Sequence, residues 1–109
     1  MSYHEFGIMP TPPENGKRYD NYEPKQYNCI SVNDDYLENI VSEFNNIDLY
    51  WHSLDVSEKG LAYCGITLIP PSSMQNFISV IDNIPELHQL KELLSKALDE
   101  NKWVIHFGI

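Results

Sequence analysis

Apolar and polar positions recur along this chain in two periods, one near two residues and one near three and a half. The longest apolar run, Leu61-Ala62-Tyr63-Cys64-Gly65-Ile66-Thr67-Leu68-Ile69, is closed by Gly60 on one side and Pro70-Pro71 on the other. It is too short for an ordinary helix and rich in residues that suit a pleated surface, so it reads as a strand. Ala62, Cys64, Ile66 and Leu68 fall on one face, and Leu61, Tyr63, Gly65, Thr67 and Ile69 on the other. Neither face is charged, which predicts a central strand covered on both sides. Tyr27–Val32, Leu49–Leu54 and Trp103–Ile109 read as three more strands. The last places Trp103, Ile105, Phe107 and Ile109 on one face.

The longer period appears between these runs. Leu37, Ile40, Val41 and Phe44 form one helical stripe, with Asn33 or Asp34 placed to accept from the free amides at its start. Met74, Phe77, Ile78 and Ile81 form a second stripe, opened by Pro71 and a Ser72/Gln75 capping-box pattern. Leu87, Leu90, Leu94, Ala97 and Leu98 form a third, with Pro85 suited to its first turn. Asp55–Gly60 reads as a polar loop leading into the central strand.

Residues 1–26 read as an irregular arm, because Pro10, Pro12, Pro13 and Pro24 interrupt any regular element and Asn15-Gly16 signals a turn. The arm also carries Tyr3, Phe6, Ile8, Met9, Tyr19 and Tyr22, so it is expected to pack on the domain formed by residues 27–109. The element order is βαββαβ, that of ferredoxin-like folds. It predicts an α+β domain with a four-stranded antiparallel sheet and helices on one face, the Leu61 strand lying beside the Tyr27 strand.

At 109 residues the chain fits one domain. A chain of that size buries roughly 65% of its unfolded surface, so folding requires neither disulfide nor metal. No apolar run approaches the ~20 residues of a membrane span. The N-terminus lacks a signal-peptide pattern, and a cytoplasmic location is the default. Cys29 and Cys64 lie in apolar runs and read as buried free thiols.

The charge pattern changes the picture more than its sum. The formal net charge is −9, yet no lysine or arginine occurs from Gln26 to Glu58, a span holding seven acids. Such a field repels a phosphate backbone, which argues against nucleic-acid binding. It attracts and steers a basic partner.

Motif chemistry is sparse. There is no GxGxxG, P-loop or GxSxG pattern. If Ile30, Val32, Cys64, Ile66, Ile105 and Phe107 face the helices, the open face carries Tyr27, Cys29, Ser31, Tyr63, Thr67 and His106, joined by Trp51 or His52. Tyr27, Trp51, His52, Tyr63 and His106 would then form a small-ligand or enzymatic surface, or cover for the arm. Cys29 with His106 would supply two ligands, too few for a metal site, so no metal or cofactor is expected. A subunit that dimerises through that face, or through an edge strand, is a third reading.

In size and acidity the chain resembles the small immunity proteins that neutralise bacterial nuclease toxins, a likeness of class that rests on no motif. What the resemblance implies is a non-enzymatic inhibitor whose basic partner, a toxin, is blocked by Asp34, Asp35, Glu38, Glu43, Asp55 or Glu58.

Overall fold

The computed structural model describes residues 2–109. Nine regular elements carry the fold: β1 (Tyr3–Ile8), β2 (Ile30–Asn33), the single-turn α1 (Asp35–Glu38), β3 (Asp48–Trp51), β4 (Ser57–Lys59), β5 (Ile66–Ile69), α2 (Pro71–Ile81), α3 (His88–Asp99) and β6 (Val104–Phe107). The protein is α+β. Its strands form one sheet in the order β2-β1-β6-β5-β3-β4. Every neighbouring pair is antiparallel.

This sheet has six strands where the sequence order suggested four. The first addition is β1, drawn from the arm expected to be irregular. Tyr3–Ile8 precedes the prolines, so all its amides can pair, and it sits between β2 and β6. The second is β4, a short edge strand from the expected loop, which pairs Asp48 with Lys59. As a result β5 lies between β6 and β3, not beside the Tyr27 strand.

Several elements are shorter than their apolar patterns. Only the second half of the Leu61–Ile69 run is strand; Leu61–Gly65 is a crossing segment whose turn is closed by the Gly65 amide donating to the Ala62 carbonyl at 3.0 Å. The stripe from Leu37 to Phe44 splits into α1 and a separate tight turn, Val41–Phe44. Asn39 and Ile40 between them are weak helix formers. The Ser72 capping box is not formed: Pro71 opens α2 at its first position and Ser73 Oγ donates to the Asp48 carbonyl at 2.6 Å. Asn33 does accept from the Asp35 amide, at 2.9 Å. The end of α3 is a Schellman turn, with Asn101 at positive φ, its amide on the Leu98 carbonyl and the Lys102 amide on the Ala97 carbonyl.

Both sheet faces are covered. On one side Phe6, Val32, Leu49, Ile69 and Val104 pack beneath α2 and α3, joined by Leu37, Phe44 and Leu61 from the chain that crosses between strands. Phe44 and Phe77 stack with ring centroids 4.3 Å apart. Both rings are fully buried, each stabilising the fold by about 2–3 kcal/mol. On the other side Ile66, Leu68, Ile105 and Phe107 are covered by Met9, Tyr19, Tyr27 and Cys29. The proline-rich segment after β1 therefore closes the face that lacks helices. Two observations fix its path: the Met9 amide donates to the Trp103 carbonyl and the Tyr19 amide to the His52 carbonyl.

Pairing also reverses the predicted faces of β5 and β6. Ile66, Ile105 and Phe107 point to the arm, while Thr67 and His106 point to the helices. A shift of one residue inverts a whole strand.

Candidate functional site

The inversion brings polar side chains into the helix-side core, where they make a continuous hydrogen-bonded line across three strands. His4 on β1, His106 on β6 and Thr67 on β5 are all fully buried. His4 Nδ1 lies 2.9 Å from His106 Nε2, and His106 Nδ1 lies 3.1 Å from Thr67 Oγ1. The Ala62 amide donates to Thr67 Oγ1 at 2.9 Å. At the other end His4 Nε2 lies 2.8 Å from Asp34 Oδ1, which also accepts from the Tyr63 hydroxyl.

With Asp34 ionised and both imidazoles neutral, the donors close in one way. His4 must donate from Nε2 to the carboxylate, which leaves its Nδ1 as acceptor for His106 Nε2–H. His106 Nδ1 then accepts the Thr67 hydroxyl proton. Burial drives the His106 pKa well below the ordinary histidine value, with the nearby His4 adding to the effect. The Tyr63 hydrogen bond, with help from His4, holds Asp34 below the usual carboxylate range against partial burial. Burial and Asp34 raise Tyr63 to about 12. No buried side-chain polar atom among the described residues is left without a partner. The line is a satisfied interior network, closed to substrate by the core above it.

The expected open-face group does not converge. Tyr27 does pack on the helix-free side, against Phe107 at 6.2 Å between ring centroids. Trp51 donates to the Gly60 carbonyl at 2.8 Å on the other side, and His106 is buried beneath the helices. Tyr63 sits at the end of the sheet, on Asp34. His52 leaves β3 with φ +65°, its Nδ1 3.1 Å from the Tyr19 carbonyl and 3.0 Å from Asp20. The arm and the alternation of the strands separate these five residues, so they form no common pocket.

Two concavities bear on chemistry. One, of about 480 Å³, lies between α3 and the start of β2, lined by Ile8, Tyr27, Ile30, Leu93, Lys96 and Lys102 among others. Its lysines are balanced by Glu92 and Glu100 on the same wall. A smaller one, of about 180 Å³, brings His52, Asp20 and the exposed Cys64 to one rim. Neither cysteine is fully buried in the way its apolar run suggested: Cys64 is exposed because its segment turns at the sheet end instead of continuing as strand, and Cys29 is half-buried, its thiol pushed up to about 12 by burial. Among the described residues no three His, Cys, Asp or Glu side chains gather as a metal-ligand set. No described helix is long and apolar enough to cross a membrane.

The acids divide into two kinds. Asp34 belongs to the interior network, with its side chain only 14% exposed, which removes it from the predicted docking set. Asp48 pairs with Lys59. Asp35, Glu38, Glu43, Asp55 and Glu58 are exposed, and among the described residues none is in an ion pair. They follow the chain as it crosses from β2 to β3 and turns into β4. Gly60 abuts Phe44 and Asn45, so the segments bearing Glu43 and Glu58 are neighbours. Glu38 is close enough to Tyr63 to help raise its pKa. The acids form a band, not a single spot: β2 and β4 are the two sheet edges, roughly 24 Å apart at strand spacing.

The bases are placed elsewhere. Apart from Lys59, all occur in residues 17–25 or 91–102. The chain matches no known family model, no characterised protein and no solved structure.

Proposed function

We propose that this chain is a non-enzymatic protein-binding module that docks a basic partner on the band Asp35, Glu38, Glu43, Asp55 and Glu58, in the manner of an immunity protein that covers a basic nuclease toxin. The observation that carries the reading is the set of five exposed carboxylates that join no ion pair among the described residues, with the segments bearing Glu43 and Glu58 side by side and Lys59 taken up by Asp48. Asp34 takes no part in docking; it anchors the root of α1 through Tyr63 and His4.

The physical case is one of steering. Unopposed carboxylates raise the local concentration of a cationic surface and speed encounter by roughly 10- to 1,000-fold at low salt. Single exposed pairs contribute only about 0.2–1 kcal/mol each, so affinity must come from several acting together. A cytoplasmic setting beside its toxin is part of this reading.

The test is capture on the immobilised chain from the native cell. A basic protein should be retained at low ionic strength and released by salt. The triple variant Glu38→Lys/Glu43→Lys/Glu58→Lys should lose it. Retention of the same protein by the triple variant would remove the band as the docking surface.

A further inference from the structure

Resting on the docking reading, we infer that the anchor of the interface is the end of the sheet around α1, and that it takes an arginine-bearing segment of the partner protein. The exposed large apolar side chains of this protein are few, and three of them gather here. Tyr3 is 45% exposed, Tyr36 42% and Ile109 42%. Backbone pairing places them around one hub. Tyr3 is the register partner of Asn33, the Asp34 amide donates to the Ser2 carbonyl, and the Ile109 amide donates to the Tyr63 carbonyl at 3.1 Å. Tyr36 lies in α1 between Asp35 and Glu38.

The rest of the acidic band lacks this combination. Val56 is the exposed apolar side chain of the β3–β4 hairpin, and Trp51 is tied to the Gly60 carbonyl. The more exposed Tyr22 lies off the band, its hydroxyl donating to Glu5. Among the described residues of the band, the α1 end is where solvent-facing phenol rings and carboxylates outside any ion pair occur together. That pairing selects arginine over lysine. A guanidinium stacks on an aromatic face and bonds a carboxylate through two N–H groups at once, which an ammonium cannot do. Tyrosines ringed by charge are also the usual anchors of protein interfaces. The hub beneath is rigid: Asp34 is held by Tyr63 and by the buried imidazole pair, so the tyrosines are presented without local ordering on contact.

The test uses nona-arginine and nona-lysine peptides titrated against the native chain at about 20 mM salt, where screening is weak. Nona-arginine should bind about fivefold more tightly, the effect expected of exposed cation–aromatic contacts. Tyr3→Ala/Tyr36→Ala should abolish the preference and leave nona-lysine affinity unchanged. Tyr36→Phe should preserve it, and Tyr36→Ala alone, in a solvent-facing turn, should reduce it without loss of fold. Equal affinities from the outset, or a preference that survives the double variant, would overturn the arginine anchor while leaving acidic docking intact. Failure of both peptides to bind would overturn the docking reading as well.

Discussion

The buried His106 imidazole makes stability depend on pH in a way that can be isolated. His106 is fully buried and its pKa is well below the ordinary value, so it stays neutral in the folded chain through mildly acidic pH. In the unfolded chain it takes up a proton near pH 6.5. Below that value the unfolded state binds more protons, so stability from this group is fully present above about pH 6.5 and declines as pH falls toward the folded value. The polar groups that face His106 are His4 from β1 and Thr67 from β5, and the carboxylate of Asp34 lies beyond His4. Between pH 7.5 and 5.5 the loss from His106 alone is about 1.3 kcal/mol. For a domain of this size that moves a urea midpoint by about 1 M. His106→Gln retains a donor for His4 and an acceptor for Thr67 but cannot titrate. Urea melts of both proteins at pH 7.5, 6.5 and 5.5 should therefore show the variant losing about 1.3 kcal/mol less than the native chain. Parallel pH dependences would refute the assignment of a neutral, buried His106.

Other outcomes follow from the same geometry. Asp34→Asn should destabilise the fold by about 1–3 kcal/mol, because it weakens an acceptor shared by His4 and Tyr63. Asp35→Asn should stay within about 0.5 kcal/mol of the native chain, and thermal melts of the pair separate structural from docking acids. Gly108→Ala should cost roughly 1–3 kcal/mol or prevent folding, since a Cβ there would collide with the backbone carbonyl of Tyr63. Alkylation at pH 8 followed by mass spectrometry should label exposed Cys64 and spare Cys29, whose thiol sits at about 12, until denaturant is added.

The two long helices were legible in the chain because their stripes are unambiguous and Pro71 marks the start of α2, while α3 begins at His88, one tight turn beyond Pro85. Leu90, Leu94 and Ala97 of α3 are buried as their spacing predicts. The sheet was less legible. Around Ile66–Ile69 and Val104–Phe107 both alternate positions are apolar or β-favouring, so the period of two gives a strand without giving its face. His106 and Thr67 looked like open-face residues because they are polar. They are interior because His106 is partnered by His4, itself held by Asp34, and Thr67 by His106 and the Ala62 amide, pairings that reach far along the chain and that no local pattern carries. For the same reason Asp34 could not be told apart from Asp35. β1 was hidden by the prolines that follow it. Its own residues Tyr3–Ile8 form a normal strand once β2 and β6 are present on either side.

The docking account is tested most directly by the association rate of the captured basic partner, measured against ionic strength. It should fall at least tenfold between about 20 and 200 mM salt. The Glu38→Lys/Glu43→Lys/Glu58→Lys chain should associate more slowly than the native chain at low salt and show a flatter dependence. A rate indifferent both to salt and to these three reversals would contradict the claim that the exposed carboxylates guide the partner in.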